Sequence, residues 1–179
     1  EHPELPVIGV EPALKPAAGL TRTGRIGVMA TRGTLGSTKF ATLLASLSGL
    51  AEFMLQPCDG LADAIERQEH SKIVALCNQY TLEMGQFGLK PGPIDTLVLG
   101  CTHYPFAVEP LRALLGPDIR FIETGEPVAR HTRQLLLTRR IPLQNADRSA
   151  GSGHPASHLT LVSSDSQEVL TAAAQRWLG

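Results

Sequence analysis

Apolar runs of four to six residues alternate along this chain with longer amphipathic stretches, and that alternation limits what it can fold into. Short runs rich in Val, Ile and Leu read as strands at Val7–Val10, Arg25–Ala30, Ala51–Gln56, Asp95–Gly100, Arg120–Ile122 and His158–Val162. Between them, apolar positions recur with helical spacing over Ser37–Leu47, Leu61–Phe87 (with a break expected near His70), Phe106–Leu115, Glu126–Thr138 and Ser166–Trp177. A strand followed by a helix-length crossover and another strand implies an α/β fold, with a mainly parallel sheet flanked by helices. In open sheets of this kind ligands sit beyond the carboxyl ends of the strands. The rule points to the residues after Ala30, after Gln56 and after Gly100.

The stretch "PLQNADRSAGSGHPASH" (Pro142–His158) interrupts this pattern. It is rich in Ser, Gly, Asn and Pro, lacks hydrophobic periodicity, and reads as a flexible linker over 142–157. It separates an α/β unit at 1–141 from a single strand and helix at 158–179. One strand and one helix cannot bury an apolar face alone, so this tail is expected to dock elsewhere. The chain also opens at Glu1 without a methionine and runs at once into an apolar segment. That start reads as a chain entered midway, or as a trimmed N-terminus.

Of the 179 residues, 42% are hydrophobic and 18% charged, which suits a soluble globular chain with a real core. Net charge is −1 and the basic residues are scattered, so no Lys/Arg stripe is available to neutralise nucleic-acid phosphates. No apolar run approaches the ~18 residues of a membrane span. The three cysteines, Cys58, Cys77 and Cys101, share no CxxC spacing. Neither structural zinc nor a disulfide framework is expected, and a reducing cytoplasm fits best.

Three strand ends carry groups that could do chemistry. In "MATRGTLGS", Thr31 and Thr34 flank Gly33 between a strand and a helix, a setting that suits a carboxylate or phosphate; Thr34 as a simple helix cap is the plainer reading. In "QPCDGLADAIE", Cys58 reads as a buried small hydrophobe and Glu66 as a surface carboxylate. In "LVLGCTHYP", a thiol, a hydroxyl and an imidazole follow one another where a buried strand stops. There Cys101 can act as a nucleophile or as a base, with His103 passing or stabilising a proton. Cys77 lies in a helical stretch without Gly or Pro and is expected to be a packed thiol.

"LVLGCTHYPF" resembles the second active-site motif of the cofactor-independent glutamate racemases, in the aspartate/glutamate racemase superfamily. "VIGVEPALKPA", "IGVMATRGTLGS", "DTLVLGCTHYPF", "ETGEPVAR" and the terminal "RWLG" resemble that family in family order, over essentially the whole chain. The resemblance implies two pseudo-symmetric α/β lobes around a cleft, each lobe giving one cysteine to opposite faces of the substrate Cα. L- and D-glutamate would interconvert by proton transfer, without pyridoxal phosphate or metal, supplying D-glutamate for peptidoglycan. Carried over by position, Cys101 is the second-lobe acid/base, His103 its helper and Glu66 an accessory carboxylate. Thr31, Thr34 and Thr102 contact the substrate. Cys58 matches a family cysteine without a catalytic part, and Asp59 stands where proline is usual.

The family's first-lobe motifs (Asp-Ser-Gly, Pro-Tyr-Gly and Cys-Asn-Thr) do not occur here. The resemblance therefore makes this chain the second lobe plus the tail that returns to the first, with the N-terminal lobe as its partner. Such a chain carries one of the two thiols and is expected to have little activity alone. Its uncovered cleft face would favour association, and a homodimer is one form that could take. A catalytically dead lobe kept as a binding module, and an aspartate or hydantoin racemase relative, are the competing expectations.

Overall fold

A computed structural model describes residues 7–139, 160–164 and 166–178. The chain divides into two compact units, Glu1–Leu135 and Leu136–Gly179. In the first, four strands form one sheet: β1 (Arg25–Ala30), β2 (Glu52–Pro57), β3 (Thr96–Leu99) and β4 (Arg120–Ile122), in the order β2-β1-β3-β4. All three pairings are parallel, so the α/β expectation describes the fold. Helices α1 (Leu14–Leu20), α2 (Arg32–Leu35), α3 (Thr38–Ala45), α4 (Leu61–Glu66), α5 (His70–Met84) and α6 (Val108–Leu115) make the approach and the crossovers. A 3-10 turn at Tyr104–Ala107 leads into α6, and α7 (Gly125–Thr138) follows β4.

The two central strands explain why their sequences are apolar without interruption. Ile26 and Val28 of β1, with Val98 of β3, enter a core shared with Leu14, Ala17 and Phe40 on one face. Met29, Leu97 and Leu99 enter the opposite core with Leu61, Ile65, Cys77, Met84, Tyr104 and Leu111. Alternate residues thus serve opposite faces, and a strand covered on both sides needs an apolar residue at every position. Gly27 belongs to the second face. A Cβ there would lie 2.9 Å from Leu97 Cδ1 and 3.0 Å from Met84 Sδ, so a methyl at this position would force the ends of those side chains to shift.

At the amino end of β3 a buried carboxylate ties the sheet to the loop before β1. Asp95 is 4% exposed and accepts from the Thr21 hydroxyl (2.6 Å), Arg22 N–H (2.6 Å), Thr23 N–H (3.2 Å) and the Thr96 hydroxyl (3.0 Å). Burial alone would push this carboxyl up, but the four hydrogen bonds outweigh it and hold it below the ordinary carboxylate value.

Several sequence expectations need correction. Val7–Val10 is not a strand; Val7 and Val10 are exposed, and Val10 to Pro12 cross the carboxyl end of the sheet instead of pairing with its edge. The apolar run is hemmed in by Pro6 and Pro12, and it packs by side chain, Pro12 meeting the bare face of Gly100. The strand expected over His158–Val162 begins outside the described residues, and Thr160–Val162 carry none, with Val162 exposed. Among the described residues of the second unit no strand is present for it to pair with. That unit is represented by α8 (Gln167–Leu178), whose first turn is tied by Val169 N–H donating to Ser166 Oγ at 3.3 Å. The 142–157 segment lies outside the described residues.

Candidate active site

Three strand ends converge where the rule for parallel sheets places a ligand. A cavity of about 390 Å³ opens there. The loop after β1 lines it with Thr31 and Thr34, and the loop after β3 with Gly100, Cys101, Thr102 and His103. Thr124 follows β4, Ala62 comes from α4, and Val10, Glu11 and Pro12 complete the wall.

The position of the Cys101 loop follows from its neighbours. Gly100 N–H donates to Met29 O at 2.8 Å, and a Cβ on Gly100 would lie 3.0 Å from that same oxygen. The loop is therefore pressed against the end of β1 in a way a side chain would prevent. Beyond it, Tyr104 is fully buried and its hydroxyl donates to Cys58 O at 3.1 Å, pinning the turn to the end of β2.

Cys101, His103 and Glu66 form a line. His103 Nδ1 lies 3.7 Å from Cys101 Sγ, and His103 Nε2 lies 2.6 Å from Glu66 Oε1. With Nε2 as the protonated nitrogen donating to the carboxylate, Nδ1 is left free to accept the thiol proton. The far carboxylate orients the ring and compensates the positive charge that this transfer creates. The pair is partly solvated, at 34% exposure for the His103 side chain and 60% for Glu66, so the charge is held but screened.

The thiols differ sharply in setting. Cys101 is half-buried in the cavity wall, whereas Cys58 and Cys77 are buried. Desolvation raises the Cys58 thiol strongly and pushes Cys77 up to about 11, so both stay protonated at neutral pH. Cys58 also donates to Gln56 O at 3.3 Å, and both thiols pack as small hydrophobes.

Thr31 and Thr34 do come together at the cavity. Their hydroxyls are 3.0 Å apart, and Thr34 N–H donates to Thr31 Oγ1 at 3.2 Å. Thr31, not Thr34, is therefore the cap of α2, and Ser37 caps α3. Glu66, the end residue of α4, does not line the cavity; it stands behind His103. Sequence reasoning missed Thr124, although the rule applied to the ends of β1, β2 and β3 reaches it when applied to β4. Among the described residues no group of three or more His, Cys, Asp or Glu side chains is placed to hold a metal ion. Among them too, no helix is long and apolar enough to cross a membrane.

No protein-family model matches the chain. Over 142 residues it is 46% identical to the curated glutamate racemase of Stutzerimonas stutzeri, covering 78% of this chain and 52% of that protein. This chain is a relative of the glutamate racemases. Solved racemases share its fold: one isoform from Bacillus anthracis superposes with a TM-score of 0.71 at 27% identity, covering 97% of this chain and 61% of the other. The Escherichia coli enzyme, solved in complex with L-glutamate and an activator, UDP-MurNAc-Ala, gives 0.63 at 32% identity over 74% of this chain and 50% of its own. The chain spans about half the length of the curated relatives it matches.

Proposed function

We propose that this chain is the second lobe of a cofactor-independent glutamate racemase, an isomerase, and that Cys101 is one of its two acid/base thiols. The observation that carries the reading is the Glu66–His103–Cys101 line at the wall of a hydroxyl-lined cavity. It stands in a chain 46% identical to a curated racemase over 142 residues. Cys101 thiolate takes the α-proton of L-glutamate on one face, and His103 receives and returns the thiol proton. Glu66 steadies the imidazolium from behind. Thr31, Thr34 and Thr102 hold the amino and carboxylate groups, so that preorganised dipoles meet the carbanion-like charge as it develops.

Inversion requires a second acid on the opposite face, because a proton lent to Cys101 returns to the side it left. Cys58 and Cys77 cannot supply it, being buried and outside the cavity wall. The second thiol belongs to the first lobe, which would also close the cleft against water. In this reading residues 1–141 form the second lobe, and the tail at 158–179 packs on the first. The protein works in the cytoplasm, supplying D-glutamate for peptidoglycan. To test it, the chain is fused to the first lobe of the Stutzerimonas racemase and assayed for D-glutamate and D-aspartate formation from the L-amino acids. Glutamate turnover that disappears in Cys101→Ser is the expected result. Turnover of aspartate alone would move the reading to another branch of the superfamily. A folded, inactive fusion would leave a binding module.

A further inference from the structure

Five polar or charged side chains are buried among the described residues: Gln56, Thr81, Asp95, Thr96 and Thr124. Four of them are satisfied within the protein. Gln56 donates to Pro57 O and Glu83, Thr81 to Cys77 O, and Thr96 to Asp95, which accepts four bonds in all. Thr124 is the exception. It is 6% exposed, its hydroxyl makes no hydrogen bond to the described residues, and that hydroxyl is not sealed from solvent, since the one sealed side-chain polar atom without a hydrogen bond among them is Arg25 Nε. A hydroxyl held in a nearly buried residue yet open to a cavity can donate to a ligand bound there.

Thr124 lines the same cavity as Cys101, Thr31 and Thr34, at the end of the neighbouring strand. A count of hydroxyl protons shows why a further donor is needed there. Thr31 and Thr34 share one hydrogen bond between their hydroxyls, so one of their two protons is already committed. Thr31 Oγ1 also accepts from Thr34 N–H. Only one proton of the pair remains for a ligand and Thr102 adds one more, whereas a carboxylate's two oxygens offer about four acceptor sites. We propose that Thr124 Oγ1 is a substrate-binding group, donating a hydrogen bond to a carboxylate oxygen of the amino acid held in this cavity. The inference rests on the glutamate reading and assigns that site a residue from its third strand end.

The test is a titration with L-glutamate, followed by NMR, of the 179-residue chain fused to a racemase first lobe, unsubstituted and as Thr124→Val, Thr124→Ala and Thr124→Ser. Valine keeps the shape and removes the donor; alanine serves as a second deletion should valine perturb the fold; serine keeps the donor. A lost hydrogen bond to a charged ligand weakens binding by about tenfold or more. The expected result is that loss in the Val and Ala variants, with Ser within about threefold of the original. Equal binding by the unsubstituted fusion and the folded deletion variants overturns the role of Thr124 and leaves the glutamate reading standing. No L-glutamate binding by the unsubstituted fusion removes the glutamate reading of this cleft, and the role of Thr124 with it.

Discussion

Replacing Asp95 by asparagine tests how the sheet that carries the active loops is held to the rest of the unit. The carboxylate accepts four hydrogen bonds, two of them at 2.6 Å, and joins the start of β3 to residues 21–23. Bonds to a charged acceptor contribute about 1.5–3 kcal/mol each, but burying the carboxylate offsets much of the sum. Asparagine keeps the shape and one oxygen while turning an NH2 group toward donors. A loss of about 2–3 kcal/mol at pH 7 follows, roughly the value of one or two such bonds. Read by urea unfolding, that is a midpoint lower by about 1 M or more. The sign with pH is fixed by the lowered carboxyl value in the folded state. Between the folded and unfolded values the unfolded chain binds more protons, so stability rises with pH across that window. The contribution is fully present above the unfolded carboxylate value of about 3.9 and is lost as pH falls through the lower folded value. The gap between the two proteins should therefore be constant from pH 7 to about pH 5 and narrow below about pH 4. Equal midpoints at pH 7, or a gap that does not change in acid, would refute the reasoning.

Two other substitutions probe the core and the proton line. Gly27→Ala places a methyl 2.9 Å from Leu97 Cδ1 and 3.0 Å from Met84 Sδ, and overpacking of this kind costs about 1–3 kcal/mol, measured as a lower urea midpoint. An unchanged midpoint would show that α5 yields freely. Glu66→Gln removes the charge behind His103, and for so exposed a partner an effect of about 1 kcal/mol translates into roughly fivefold slower alkylation of Cys101 by iodoacetamide. Labelling is followed residue by residue by mass spectrometry, with buried Cys58 and Cys77 as unreactive internal references. An unaltered rate would mean that Glu66 does not act through His103.

Much of the fold was legible because its signals are local and strong. Arg25–Ala30 and Arg120–Ile122 match the expected strands, and the break expected near His70 falls where Gln68 takes a φ of 58° before α5 starts at His70. What escaped was set by neighbours. Helix α1 contains Pro16, which reads as a breaker, yet it sits in the first turn, where the backbone N–H has no helical acceptor. Val7–Val10 has a strand's composition but no strand beside it. At the site, Cys101 and His103 lie two residues apart and are visible as a pair, and Thr31 and Thr34, three apart, likewise. The approach of Glu66 to His103 depends on how the end of α4 meets the turn after β3, which no local pattern encodes. Thr124 draws no attention as one threonine in a charged stretch; only its place in the cavity wall marks it.

The central claim, that Cys101 exchanges the α-proton on one face while a second thiol serves the other, is tested most directly in heavy water. L-glutamate is supplied to the chain fused with a racemase first lobe, and the first D-glutamate formed is analysed by mass spectrometry for deuterium at Cα. The account predicts D-glutamate that carries solvent deuterium from the earliest time points while the remaining L-glutamate is still protiated, and no such product from Cys101→Ser. D-glutamate that keeps the original proton, or an undiminished rate in Cys101→Ser, would contradict it.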